Sequence, residues 1–245
     1  GNETNFIALS GNSGQTFSNK GFIIEGEDLV YVSARLFTSS AYYQAAGLVS
    51  KGLGALGKTF RVGTFEDLGN DMSSSFLNFV TVLATEDNTT VNFSDFGNGV
   101  TIVNNAPIND VILNSGESYL IAIQPGNNIN NSDGLIGVLV ESDKPIAVNS
   151  GSITGSNANT TTDSNGQDAG IDQIVPLERI GTEYIFVRGI GPDQIERPLI
   201  VAHEPDTEVY VNGTLEYTIA QAGEHWSVPS SFYGVSYDQY GQGPE

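Results

Sequence analysis

The sequence GFIIEGEDLVYV at residues 21–32 returns as GVLVESDKPIAV at residues 137–148. The two stretches align without a gap, so that Gly21 corresponds to Gly137 and Val32 to Val148. The offsets of the other repeated stretches range from 107 to 124 residues, which is typical of loop insertions between strands that keep their order. This pattern predicts a unit of about 115 residues that is used twice. The other repeats are LGKTFRV (56–62) and IGTEYIF (180–186), LATEDNTTVNF (83–93) and VAHEPDTEVYV (201–211), and ILNSGESYLIA (112–122) and IAQAGEHWSV (219–228).

Strand signals dominate the repeated stretches. Short Asp/Asn/Thr turns precede β-branched and aromatic residues at 90–93 and 209–211. Ser115-Gly116 and Ala222-Gly223 each mark a hairpin-type break between apolar runs. No window of a dozen residues carries an amphipathic helical stripe between caps. The predicted fold class is therefore all-β, with repeated antiparallel β-sheet units in a β-sandwich-like arrangement and propeller-like blades as the alternative.

The repeat also predicts how the chain is divided. Residues 1–150 hold the first β repeat with a preceding partial unit, and residues 174–245 hold a second, incomplete β repeat. Between them, residues 151–173 (GSITGSNANTTTDSNGQDAGIDQ) are polar and have no hydrophobic periodicity, so we expect a long connecting loop. The strands expected on either side include 21–25, 28–36 and 183–188.

The charge balance narrows the range of partners. The chain has 29 acidic and 9 basic residues, a formal net charge of −20. Nucleic acid is excluded because phosphate binding needs a basic surface, and an anionic membrane face is disfavoured for the same reason. Apolar runs such as FVTVLA (79–84) are too short for direct membrane insertion. There is no cysteine, which excludes disulfides and thiolate metal sites.

Calcium is the inorganic ligand that the composition favours, because hard cations bind closely spaced carboxylate, amide and carbonyl oxygens. The first candidate loop is DSNGQDAGID, where Asp163, Asn165, Asp168 and Asp172 could converge on one ion. The second is NNINNSDG, in which Asn128, Asn130 and Asp133 precede Gly134. Neither loop has the EF-hand register. Two solvated polar loops are the competing interpretation.

No catalytic residues are predicted. His203 and His225 take the repeat positions of Thr85 and Ser118, and neither lies near a serine in a nucleophile-elbow pattern. Half-exposed strand histidines are the simpler interpretation. The acidic pairs at 86–87 and 204–206 precede strands, where Asp and Asn side chains stabilise turns, so turn chemistry is favoured over glycosidase chemistry.

Four stretches in this order resemble the domain named for the IgG Fc-binding protein of mucus: ATEDNTTVNFSDF, LNSGESYLIA, ESDKPIAVNSGS and DQIVPLERIGTEYIFVRG. They are most similar to the versions found in large surface proteins of gliding Bacteroidota, and the stretch at 31–63 resembles that bacterial subgroup in particular. The resemblance covers about residues 20–228. No residue set identifies an antibody site, so Fc binding is not carried over.

The resemblance implies a non-catalytic extracellular module of a bacterial cell-surface, adhesin-like protein. The expected role is adhesion or surface interaction, linked to gliding motility, with a surface glycan or protein as ligand. It also implies other domains in a longer parent chain that is exported by the type IX pathway. The alternative is a secreted protein that binds or degrades polysaccharides. Recognition is expected where the two repeats differ, above all at 151–173.

Overall fold

The computed structural model describes residues 10–37, 45–67, 77–125, 128–155, 168–189 and 196–233. These residues form fourteen strands and several short 3-10 turns, without an α-helix in the described ranges. The all-β, antiparallel prediction is confirmed. The strands are β1 (Thr16–Phe17), β2 (Ser33–Phe37), β3 (Ala45–Val49), β4 (Gly57–Arg61), β5 (Leu77–Ala84), β6 (Thr89–Ser94), β7 (Val111–Leu113), β8 (Ser118–Ile123), β9 (Leu139–Gly155), β10 (Asp168–Ile174), β11 (Leu199–Val201), β12 (Thr207–Val211), β13 (Thr214–Ile219) and β14 (His225–Ser227).

Strand β9 organises the main sheet, because it pairs with four other strands. Its first residues pair with β4 on one edge and with β6 on the other, so that Val140 lies between Phe60 and Phe93. Its later residues pair with β10 on the first edge and with β5 on the second, so that Val148 lies between Ile174 and Val82. From β5 the sheet continues to β8 and β1, and from β6 it continues to β7.

The change of neighbours along β9 takes place at residues 143–145, which make no register pair in the described sheet. Proline lacks a backbone N–H and is found at such irregular strand positions, so Pro145 fits this site. The carbonyl oxygen of Pro145 accepts a hydrogen bond from the Thr85 hydroxyl (2.6 Å). The Asp143 carboxylate accepts one from the Thr90 backbone N–H (2.7 Å). The Thr85 hydroxyl and the Thr90 backbone N–H therefore hold β9 where it passes from β6 to β5.

The two halves of the sheet enclose one apolar core. On β6 and β7 the inward side chains alternate with outward ones, as expected for strands with one buried face. The rings of Phe93 on β6 and Tyr119 on β8 lie 6.2 Å apart, which shows that the two halves face each other. This is a sandwich-like, nearly closed arrangement. The core residues include Phe60, Val80, Val82, Val91, Phe93, Leu113, Ile121, Ile123, Leu135, Val140, Ile146 and Val148.

Strands β5–β8, here called the first strand motif, have a counterpart in β11–β14, the second strand motif. β5 pairs with β8 and β6 with β7, as β11 pairs with β14 and β12 with β13. The hydrogen bonds at the turns also correspond. Gly116 N–H donates to Ala84 O and Gly223 N–H to Ala202 O, both at 2.9 Å. The turns before β6 and β12 also correspond in backbone conformation, because Asn88 and Asp206 are both left-handed (φ 54° and 53°).

The breaks at Gly116 and Gly223 are confirmed, but the hairpin expectation is wrong. β7 and β8 follow each other in sequence yet pair with different strands, β6 and β5. The turn is a corner, because its N–H groups bond to the neighbouring β5–β6 turn instead of across a ladder. Ser115 N–H donates to the Asp87 carboxylate (3.0 Å). Gly116, with φ 80°, supplies the left-handed residue that the corner needs.

The other two aligned pairs do not share a local structure. Residues 57–61 form β4, whereas 183–188, predicted as a strand, lies in no strand. Residues 139–148 belong to β9, whereas the aligned residues 21–32 form no strand, and the strand predicted at 28–36 begins only at Ser33. Neither segment pairs with a strand among the residues that the structure describes. The unit of about 115 residues therefore stays a prediction.

The predicted connecting loop at 151–173 is wrong in extent. β9 continues to Gly155 and β10 begins at Asp168, and these two strands pair with each other within the main sheet. Glycine makes this possible, because a Cβ at Gly151 would overlap the carbonyl oxygen of Gly170 on β10. Residues 156–167 lie outside the described ranges. The division into 1–150 and 174–245 stays a prediction, although β10 reaches Ile174 from the first sheet.

Candidate functional site at the junction of the two strand motifs

A cleft of about 350 Å³ opens where the second strand motif meets the main sheet. One wall is the stretch after β6, and the other is the turn before β14. Carboxylate groups and His225 provide its polar lining, and Phe96 and Ile136 provide its apolar lining. The lining residues are Asp95, Phe96, Gly97, Asp133, Ile136, Ala222, Gly223, Glu224 and His225.

Arg61 at the end of β4 connects the two sides of the cleft. Its Nη1 donates to the Asp95 carboxylate (2.6 Å) and to the Gly137 carbonyl oxygen (2.8 Å). Its Nε lies 3.3 Å from Nδ1 of His203, which accepts this hydrogen bond. The Arg61 side chain is buried, so its guanidinium N–H groups need acceptors within the protein. Arg61 therefore fixes the loop after β6, the start of the β9 segment and the second strand motif relative to one another.

A second charged group lies on the same junction. The Glu66 carboxylate pairs with Arg197 (Oε2 to Nη2, 2.8 Å), and both side chains are largely buried. His225 Nε2 lies 3.6 Å from the other oxygen of Glu66. Burial alone would raise the pKa of Glu66, but hydrogen bonds from His225 and Ser227 and the positive charge of Arg197 outweigh it, so this pKa lies below its ordinary value. The carboxylate is therefore charged at neutral pH.

The backbones of the two parts approach closely at one point. A Cβ at Gly137 would overlap the carbonyl oxygen of Gly223, and both glycines have left-handed φ values of 85° and 82°. A larger residue at Gly137 would therefore force the two backbones apart and would also strain its own conformation. This contact leaves no room for a side chain between the residues before β9 and the second strand motif.

The two histidines that differ between the repeats both lie on this junction. His203 follows β11 and contacts Arg61, and His225 begins β14 and contacts Glu66. Their counterparts in the first strand motif are Thr85 and Ser118. The two histidines thus join the second strand motif to β4 and the residues after it. Sequence reasoning missed Arg61, Glu66 and Arg197, although a chain with so few basic residues could have drawn attention to each arginine.

The structure places two of the four predicted calcium ligands on β10. Asp172 pairs with Lys51 (2.7 Å), and the Asp168 carboxylate accepts the backbone N–H groups of Ala45 (2.6 Å) and Ala169 (2.8 Å). Four strand residues span about 13 Å between Cα atoms, so the structure does not bring these two carboxylates together. Asp163 and Asn165 lie outside the described residues. Calcium binding at these four residues stays a prediction.

The second predicted calcium loop is held by its own amides. The Asn128 side chain accepts from Asn130 N–H (3.1 Å) and donates to the Gly99 carbonyl oxygen (2.8 Å). Asp133 lines the cleft described above. Among the residues that the structure describes, no three acidic or histidine side chains are grouped to hold a metal ion.

The comparisons with known proteins give one match. The family described as IgGFc binding protein matches residues 46–237, more than three quarters of the chain. The chain belongs to this family. The resemblance seen in the sequence is thereby confirmed for the domain type. The matched range covers β4–β14 and the whole junction, whereas residues 21–32 precede it.

No curated protein and no solved structure matches the chain significantly. Within the described part of the chain, no helix has the length and apolar character needed to cross a membrane.

Replacing Glu66 by Gln tests the buried charge. We expect Glu66→Gln to lower the free energy of unfolding at neutral pH by about 1–3 kcal/mol, because Arg197 loses a charged acceptor. A group whose pKa is lowered on folding stabilises above its ordinary value, here 4.5, and loses this contribution as the pH falls through the folded value. The difference between the two proteins should therefore shrink below that pH.

Urea unfolding of both proteins across this pH range measures the effect. The control is Glu216→Gln on exposed β13, which should change the free energy by less than about 0.5 kcal/mol. Equal stability of Glu66→Gln and the parent at neutral pH would contradict the junction described above.

Proposed function

We propose that this chain is a non-catalytic binding module that acts on the outside of a bacterial cell and mediates adhesion to a surface glycan or protein. The observation that carries the proposal is the family match over residues 46–237. The name of that family refers to binding, and the proposal transfers this general activity without its antibody ligand. Attachment to a longer surface protein, export by the type IX pathway and a link to gliding motility are parts of the same proposal.

The charge of the chain supports a restricted set of ligands. A net charge of −20 repels polyanions and makes acidic glycans and nucleic acids poor ligands. Neutral glycans and basic protein surfaces carry no such penalty. Binding to a basic protein surface would weaken as salt screens the charges, whereas binding to a neutral glycan would not.

The alternative, a secreted protein that degrades polysaccharides, needs a carboxylic acid that is protonated near neutral pH. The buried carboxyl group of Glu66 has a lowered pKa, which is the opposite requirement. Asp95 in the cleft is ion-paired with Arg61. These contacts favour structural roles for both carboxylates. The carboxylates of Asp133 and Glu224 also line the cleft, so substituting them tests the hydrolytic alternative most directly.

Binding without turnover is the expected outcome when the chain is tested on a glycan array, on immobilised matrix proteins and with a panel of chromogenic glycosides. IgG Fc is included as a separate arm. If any glycoside turnover is detected, Asp133→Asn and Glu224→Gln should leave it unchanged, because the proposed module has no catalytic site in the cleft. Glu208→Gln, at an exposed position of β12, is the matched control. Glycoside turnover that one cleft substitution abolishes would contradict the proposal.

Calcium binding by Asp163, Asn165, Asp168 and Asp172 is a separate proposal, supported by the acidic composition and the oxygen-rich sequence. Saturating calcium, at about a hundredfold over Kd, would raise the melting temperature by roughly 5–10 °C, and EDTA would reverse this. Asp163→Asn should abolish the shift and Asp28→Asn, at an exposed site, should not. An unchanged melting temperature in EDTA would contradict calcium binding at these residues.

A further inference from the structure

The second strand motif lacks a neighbour that the first one has. In the first motif, β5 pairs with β8 on one edge and with β9 on the other. In the second motif, β11 pairs with β14 and β12 with β13, and no strand within the described ranges pairs with their other edges. Unpaired strand edges present backbone donors and acceptors to another chain. Among the described residues, no strand therefore occupies the place in the second motif that β9 occupies in the first.

Two apolar segments in the same structure are exposed. In residues 23–31, Ile23 is 77% exposed and Leu29 is fully exposed. In residues 184–187, Ile185 is 90% and Val187 is 88% exposed. Soluble proteins rarely expose several large apolar side chains in sequence unless these residues meet a partner. Neither segment forms a strand in the single chain.

The repeat identifies these segments as counterparts of two strands that pair with each other. Residues 180–186 align with the stretch that forms β4, and residues 21–32 align with the first part of β9. In the main sheet Phe60 pairs with Val140 and Arg61 pairs with Leu139. The corresponding pairs would be Tyr184 with Ile24, and Ile185 with Ile23. In the single chain both segments stay exposed.

The same alignment supplies a register against the open edges. The pair Ala84–Ile146 between β5 and β9 corresponds to Ala202 and Val30. The pair Phe93–Val140 between β6 and β9 corresponds to Val211 and Ile24. One strand at 21–32 thus fits β11, β12 and residues 184–187 with a single register, as β9 does in the main sheet.

We propose that residues 21–32 of one copy insert as a strand into the second strand motif of a second copy, in the position that β9 occupies in the first motif. The contact joins different surfaces of the two copies, so a further copy can add at each end and the assembly is a ring or a filament. The charge of −20 on each copy opposes this contact, so salt should strengthen it. The inference concerns assembly and does not rest on the proposed ligand.

Sedimentation velocity of the full chain over a range of concentrations, at low and high salt, tests the proposal. We expect concentration-dependent association that increases with salt. Ile24→Asp on the inserting strand and Ile185→Asp on the accepting segment should each weaken it at least about tenfold, because a charge would replace a buried apolar contact. Ile112→Asp is the control, since Ile112 is similarly exposed (63%) but lies on β7, outside both surfaces.

A mixture of the two variants separates this contact from other modes of association. The Ile24→Asp copy keeps an intact accepting surface and the Ile185→Asp copy keeps an intact inserting strand. Their mixture should form a one-to-one complex and nothing larger. Thermal unfolding of each variant alone should match the parent, because both side chains are exposed in the single chain. A monomer under all conditions, or association that both variants leave unchanged, would overturn the proposal.

The register is tested by crosslinking, because the chain contains no native cysteine. Ile24→Cys and Tyr184→Cys are introduced into separate copies, mixed and oxidised. A disulfide between the copies is expected, whereas the pair Ile24→Cys and Ile112→Cys should not crosslink. In the double variant that carries Ile24→Cys and Tyr184→Cys in one chain, a disulfide confined to that chain would overturn insertion into a second copy.

Discussion

The backbone pairing of β9 is the interaction on which the rest of the structure depends. This strand is hydrogen-bonded along both edges, and its inward residues Val140, Ile146 and Val148 lie in the core between the two halves of the sheet. It can serve both halves only because its path changes at residues 143–145, where Thr85 and Thr90 bond to it. Without β9, β4 and β10 lose their pairing partner in the sheet and β5 and β6 each lose one edge.

The second strand motif repeats the strand pairing of the first, but among the described residues no strand pairs with it as β9 pairs with the first motif. Its strands repeat the pairing and the turn hydrogen bonds of the first motif, and its small core of Ala202, Val209 and Ile219 corresponds to Ala84, Val91 and the region of Leu113. It is held to the main sheet by the Arg197–Glu66 ion pair, by the hydrogen bond from Arg61 to His203 and by the close contact of Gly137 with Gly223. Polar and backbone contacts thus attach the second motif to the main sheet, whereas the backbone pairing of β9 attaches the first.

Local sequence signals predicted the strand motifs well, because alternating apolar residues, turn acids and turn glycines act over a few positions. They overestimated the loop at 151–173, since small residues such as Gly151 and Ser152 carry no apolar pattern yet permit close strand pairing. They also predicted strands at 21–25, 28–36 and 183–188, whereas residues 21–32 and 183–188 pair with no strand within the described ranges. The junction could not be predicted, because Glu66 and Arg197 meet across 131 positions of sequence.

Amide hydrogen exchange of a dilute, monomeric sample tests most directly whether β9 is what distinguishes the two motifs. Ala84 and Ala202 donate their N–H groups to Glu117 and Glu224, in the turns before β8 and β14, so the N–H groups of Leu83 and Val201 point to the opposite edges. We expect slow exchange at Leu83, which faces β9, and fast exchange at Val201, whose edge pairs with no strand in the described part of the chain, with Ala202 protected. Equal protection of Leu83 and Val201 would contradict it.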